Sequence, residues 1–325
     1  MRRLTAALWI AGVVVLGLVA PTGPALAEVP GPNGQILFGR YSPALDESVL
    51  YTVNPDGSHL HRVIPGPPRI TECPHWSPDG SLIVSCPDSF ADVAFLIDPD
   101  TGAIQHIPTR YPSLKLACVL PSPDSRRLAC GNVDVAANPN RDGVYTVRSS
   151  DGGGLKKVTT DPGGMDSPGD YSPNGKQIVF LSTDPTRPSN ANQALFVVNV
   201  SGTGLHRITP WSAGLDVGLG PEGGSWSPDG TKILYGDRSS LFLVNPDGSD
   251  RMKLPIDTTG FRFPFGPSWS PDGTRISFGL ITETSLGTGQ EGIFTAKADG
   301  TDLRQVTDSP TFDEDADWGP HPLAT

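Results

Sequence analysis

A five-residue word, Trp-Ser-Pro-Asp-Gly, constrains this chain more than any other feature. It stands intact at Trp76–Gly80, Trp226–Gly230 and Trp269–Gly273. Pro121–Ser125 and Tyr171–Gly175 are degenerate copies, and Trp318-Gly319-Pro320 is a truncated one. The first residues lie at 76, 121, 171, 226, 269 and 318, at intervals of 45, 50, 55, 43 and 49. A period in this range marks a repeat architecture in which each copy is one supersecondary unit. The word itself is a tight turn, because Pro presets φ and Gly accepts the positive φ that closes a hairpin.

Each word leads into a β-rich run, such as Gln177-Ile178-Val179-Phe180 or Lys232-Ile233-Leu234-Tyr235. A second turn recurs further on, as at Asn54-Pro55-Asp56-Gly57, Asn245-Pro246-Asp247-Gly248 and Ala298-Asp299-Gly300. An apolar run precedes it, and a short strand such as Leu60-His61-Arg62-Val63 or Leu303-Arg304-Gln305-Val306 follows. Every unit therefore reads as four strands joined by two tight hairpins and one longer loop. Six such units around an axis predict an all-β, six-bladed β-propeller. With 38 Gly and 34 Pro among 325 residues, a helical bundle is excluded. A β-sandwich would explain neither the period nor the two split ends. Asn33–Phe38 resembles the segment after a word but lacks the word, and Asp317–Pro320 resembles the word but lacks the segment. Joined, they predict a sixth blade with its innermost strand from the C-terminal end, closing the ring without an unpaired seam.

The word, the run after it and the later Asp-Gly turn are similar to the WD-repeat-like units of TolB-type β-propellers, across essentially all of Asn33–Pro320. The resemblance implies a periplasmic scaffold role, since TolB binds a peptidoglycan-associated lipoprotein through its propeller. Related propellers cap the catalytic domains of prolyl oligopeptidases. The chain departs from both patterns, because neither TolB's N-terminal α/β domain nor a hydrolase domain is expected from these residues.

Residues 1–27 read as a secretory signal peptide: basic Met1-Arg2-Arg3, apolar Leu4–Ala20, then the small-x-small site Ala25-Leu26-Ala27. An uncleaved membrane anchor is the alternative. The propeller domain is expected over 28–325, exported to a secreted, wall-associated or periplasmic location, monomeric and not inserted in the membrane. Loss of Arg2 and Arg3 would take the net charge from −11 to −13. So acidic a surface argues against nucleic acid as a partner.

No catalytic constellation emerges, and no cofactor is expected. Gly223-Gly224-Ser225-Trp226-Ser227 lacks the last glycine of a nucleophile elbow. Gly218–Gly223 fits a dinucleotide fingerprint as a string, but a propeller word follows where a helix is needed. His61 shares its repeat position with His206, Lys156 and Arg304 on a solvated outer strand. The run Asp313-Glu314-Asp315-Ala316-Asp317 is a weak calcium candidate: strand alternation would place Asp313, Asp315 and Asp317 on one face. A solvated acidic rim is the other reading. Export permits disulfides, and Cys73–Cys86 and Cys118–Cys130 are each nearly centred on a Pro-Asp turn, which predicts two bonds within blades. Pairing of Cys73 with Cys118 is the alternative.

Long connections fall on one end of the propeller, where function concentrates. The candidate ligand-binding residues there and at the channel mouth are Glu72, Asp166, Trp211, Glu222, Phe261, Arg262, Phe263 and Glu314. The expected function is non-enzymatic binding of a protein or cell-envelope component. The alternative is a propeller hydrolase or lyase acting on an extracellular polymer or peptide.

Overall fold

The computed structural model describes residues 31–65, 73–86, 91–132, 141–159, 165–189, 191–212, 224–237, 239–282 and 291–325. The expected signal peptide lies outside them. Among the described residues the regular structure is β, in six four-stranded antiparallel sheets.

The first blade contains β1 (Ile36–Ser42), β2 (Glu47–Val53) and β3 (His61–Arg62). The second contains β4 (His75–Trp76), β5 (Ile83–Ser85), β6 (Asp92–Ile97) and β7 (Ile104–Pro108), and the third β8 (Leu116–Pro121), β9 (Arg127–Asn132), β10 (Tyr145–Arg148) and β11 (Lys156–Lys157). The fourth holds β12 (Met165–Tyr171), β13 (Gln177–Thr183), β14 (Gln193–Asn199) and β15 (His206–Arg207). The fifth holds β16 (Ser225–Trp226), β17 (Ile233–Asp237), β18 (Ser240–Val244) and β19 (Met252–Lys253). The sixth holds β20 (Phe261–Trp269), β21 (Arg275–Thr282), β22 (Glu291–Lys297) and β23 (Arg304–Gln305). The last strand, β24 (Asp313–Trp318), returns to the first blade and pairs with β1, giving the order β24-β1-β2-β3. The latch expected from the split ends is thus present.

The word is a self-contained hydrogen-bonded unit, which explains its composition. In Trp226–Gly230, Ser227 Oγ donates to Asp229 Oδ1 at 2.6 Å while accepting from Lys232 N at 2.9 Å, and Thr231 N donates to the same Asp229 oxygen. Gly230 closes the turn at φ +72°. Asn174 replaces Asp with the same geometry, its Oδ1 accepting from Ser172 Oγ at 2.9 Å and Lys176 N at 2.9 Å. In the third blade the closing position is Ser125, held at φ +56°.

The core lies between blades. Six clusters of buried side chains each straddle one blade boundary: Leu37 and Leu50 meet Trp76 and Phe95, Val179 and Leu195 meet Trp226 and Tyr235, and Leu234 and Leu241 meet Trp269 and Phe278. The closing boundary is made by Ile36, Phe38 and Trp318 against Ile293 and Val306. The aromatic residue of each intact word therefore packs on the preceding blade. Each such indole buries about 150–250 Å², so the words supply inter-blade adhesion as well as turns.

Cys118 and Cys130 face each other across β8 and β9 and are disulfide-bonded, with Cα atoms 3.9 Å apart. The second expected bond, Cys73–Cys86, is not formed. The register His75↔Val84 and Trp76↔Ile83 would bring the pair opposite each other if the ladder continued. It stops first: β4 begins at His75, and Cys73 turns into the left-handed region at φ +55°.

Candidate functional site

The residue immediately before each word lines the central channel. These are Asp317, His75, Leu120, Asp170, Ser225 and Ser268, taken in order around the ring from the first blade. Together with the words they wall a cavity of about 80 Å³ at the end from which the tight turns project. That volume admits a few waters or the tip of one inserted side chain, well below the space a drug-sized ligand fills.

The two ring carboxylates stitch blades together. Asp317 Oδ2 accepts Trp76 N–H at 2.7 Å and its Oδ1 accepts Ser268 Oγ at 2.9 Å, so one side chain joins the sixth, first and second blades. On the opposite side of the ring, Asp170 Oδ2 accepts Trp226 N–H at 2.8 Å. Ser268 Oγ also accepts Trp318 N–H at 3.3 Å, and Trp269 Nε1 donates to Ser225 O at 3.2 Å.

Three polar atoms in this wall have no hydrogen-bond partner in the protein: His75 Nε2, Trp76 Nε1 and Trp226 Nε1. All three residues are buried, His75 at 6% exposure. Burial pushes the His75 pKa below the ordinary imidazole value, against an opposing pull from Asp317, whose Oδ2 is 3.7 Å from Nδ1. The wall therefore contains a neutral imidazole and two indole N–H groups, buried beneath its surface, whose hydrogen-bonding capacity the fold leaves unused, a cost in a dry interior.

The residues expected to bind ligand are dispersed. Asp166 is buried, accepting Thr159 Oγ1 at 2.7 Å while its own N–H donates to Asp142 Oδ1 at 3.2 Å. Trp211 sits at the outer edge of the fourth blade, 5.8 Å from Phe196 and beneath the Arg187 guanidinium at 4.3 Å. Phe261 packs edge-on against Phe294 at 5.1 Å, over the core between the fifth and sixth blades. Glu314 accepts Ser48 Oγ at 2.5 Å, across β1. Arg262 and Phe263 lie on β20, with side chains outside the description, and Glu72 and Glu222 fall outside the described residues.

The three aspartates of the latch do not share a face. The β1–β24 register shifts between Leu37 and Gly39, and Asp315 sits in the bulge at φ +55°. One extra residue reverses the alternation. Asp313 consequently forms a bidentate pair with Arg40, at 2.6 and 2.7 Å, while Asp317 turns to the channel. Among the described residues no three His, Cys, Asp or Glu side chains group as a metal site.

No known protein family matches the chain by sequence profile, and no curated protein matches it. Solved structures do match the fold. TolB from Acinetobacter baumannii superposes with a TM-score of 0.65 at 21% identity, over 88% of this chain and 66% of that one. A putative TolB from Agrobacterium tumefaciens gives 0.60 at 15% identity, over 85% and 88%. An oligogalacturonate lyase from Vibrio parahaemolyticus gives 0.51 at 12% identity, over 85% and 75%. The protein is a six-bladed β-propeller. Its fold is TolB-like, and at these identities the likeness is one of fold, which serves both binders and enzymes.

Proposed function

We propose that the protein is an exported, non-enzymatic binding scaffold that holds a protein or cell-envelope component at its central channel, entered from the tight-turn end rather than the long-loop face. The observation that carries this reading is the channel wall, where His75 Nε2, Trp76 Nε1 and Trp226 Nε1 are buried without a partner in the protein. A rigid ring with a small cavity and spare hydrogen-bonding atoms suits an inserted side chain or main-chain carbonyl of a docked partner. The ring carboxylates are committed to backbone N–H and hydroxyl groups of adjoining blades, so their role here is to fix the frame. The disulfide of the third blade supports an oxidising compartment, secreted or periplasmic. A further fold match comes from the structure of a nidogen–laminin complex, with a TM-score of 0.62 at 10% identity over 89% of this chain and 99% of that one. It illustrates the same architecture in a protein complex.

The enzymatic alternative draws on His75 and Asp317, an imidazole and a carboxylate 3.7 Å apart in the channel. It requires turnover of an extracellular polymer or peptide that Asp317→Asn abolishes. The scaffold reading requires partner capture that the channel donors control, and the closing experiment of the Discussion measures that.

A further inference from the structure

Repeats allow one blade to serve as the control for another. In the sixth blade, Arg275 follows the word and reaches across its sheet. Its Nη1 donates to Asp302 Oδ2 at 2.8 Å, and its Nη2 reaches Thr295 Oγ1 at 3.2 Å and Asp302 O at 3.0 Å. The third blade builds the same cradle around Arg127. Nε donates to Thr146 Oγ1 at 2.9 Å, and Nη2 donates to Thr146 O at 2.8 Å and Gly154 O at 2.7 Å. Arg127 and Arg275 occupy the same repeat position, as do Thr146 and Thr295, and Gly154 and Asp302. Gly154 brings the carbonyl but no carboxylate. Among the described residues Arg127 has no ion-pair partner, and its Nη1 donates to no protein acceptor.

This guanidinium lines a cleft of about 180 Å³ between the third and fourth blades. The walls include Pro123, Pro173 and Val200, with Lys156 and Tyr171 as further polar groups. Tyr171 stands where the intact words carry Trp. It is 5% exposed, and its hydroxyl has no hydrogen-bond partner in the protein. Burial raises the phenol pKa, with Arg127 and Asp124 as charged neighbours, so the group stays a neutral O–H donor. Asp124 also lines the cleft; its Oδ1 accepts Ser122 Oγ at 2.7 Å and Arg126 N–H at 3.1 Å, and it makes no ion pair with Arg127.

We propose that this cleft binds a small organic acid, whose carboxylate takes on Arg127 the place that Asp302 holds on Arg275. Tyr171 donates its hydroxyl proton to the acid, and Lys156 adds a second positive charge. The prolines flank a compact, ring-sized body. A guanidinium fork matches a planar carboxylate, and the cleft has space for about six waters, the volume of a small acid rather than a polymer. The site is separate from the channel.

The test is calorimetric titration of the full chain with sodium glucuronate and sodium benzoate, with inorganic phosphate and glucose as comparators. Saturable binding of at least one carboxylate is expected, weakened about tenfold or more in Arg127→Gln, Tyr171→Phe and Gly154→Asp. The protein's own repeats license two of these variants. Gln177 fills the Arg127 position in the fourth blade. Asp250 and Asp302 fill the Gly154 position with φ of 50° and 55°, beside 62° for Gly154. Gly154→Asp is the decisive one, because it supplies the missing counter-ion without removing any cleft group. Absence of carboxylate binding, equal binding by wild type and Gly154→Asp, or binding of phosphate or glucose in place of the carboxylates would overturn the proposal.

Discussion

The imidazole of His321 lies face to face with the indole of Trp76, centroids 4.9 Å apart and planes 9° from parallel. His321 Nδ1 also contacts Gly80 O at 2.9 Å, and Gln35 N donates to His321 O at 2.9 Å. The segment after β24 therefore ties the first blade to the word of the second. It extends the latch beyond its strand, as Asn54 exchanges hydrogen bonds with the main chain of Ala324 at 3.0 and 3.1 Å.

This fastening has no slack at Gly319. A Cβ there would come within 2.2 Å of the Trp76 ring. Gly319→Ala is expected to destabilise the propeller by about 1–3 kcal/mol through overpacking. His321→Ala is expected to cost about 1–2 kcal/mol in lost stacking and hydrogen bonding. Urea denaturation of both variants measures these losses.

The word of the third blade offers the opposite change. Ser125 holds the left-handed conformation that Gly80, Gly175, Gly230 and Gly273 adopt at φ 67–72° in the other words. Ser125→Gly is expected to stabilise by about 0.5–1 kcal/mol, since relief of αL strain exceeds the added chain entropy. A raised urea midpoint with unchanged slope is the expected readout.

Stability is expected to decline in two steps as pH falls. His75 has its pKa lowered by burial in the fold, with Asp317 opposing. Below about pH 6.5 the unfolded chain therefore binds more protons, and stability is lost from there down to the folded pKa. Asp56, Asp247 and Asp299 have pKa values lowered by bonds from Ser58, Ser249 and Thr301. Their contribution is present above the unfolded carboxylate range and is lost below about pH 4. Melting temperature against pH resolves the steps, and His75→Gln should remove the first alone.

Much of this was legible in the sequence because the word carries its own physics. Ser227, Asp229 and Gly230 perform locally what their chemistry predicts, and the split unit at Asn33 and Trp318 announced the latch. What was hidden depends on single backbone choices that no residue type marks. The left-handed turn at Asp315 separates Asp313 from Asp317, and the one at Cys73 ends a ladder that would have paired two cysteines. The channel ring was accessible by aligning the position before each word. Reading further upstream instead led to Asp166 and Glu314, which the fold spends on Thr159 and Ser48.

The disulfide joins directly opposed strand residues separated by 12 in sequence. Its removal is expected to cost about 2–3 kcal/mol through the freed loop entropy. Comparison of Cys118→Ser/Cys130→Ser with wild type by differential scanning calorimetry measures the cost. Peptide mapping without reductant is expected to show the Cys118–Cys130 link and no Cys73–Cys86 link.

The central claim is that the channel donors hold a partner. The most direct measurement is affinity capture from the cell-envelope fraction on the immobilised full chain, quantified for wild type and for the His75→Phe/Trp226→Phe double variant. The account predicts a discrete partner retained by wild type and depleted about tenfold or more by the double variant, as expected for loss of two buried hydrogen bonds. Equal retention by both proteins would contradict it, as would turnover of an envelope polymer that Asp317→Asn abolishes.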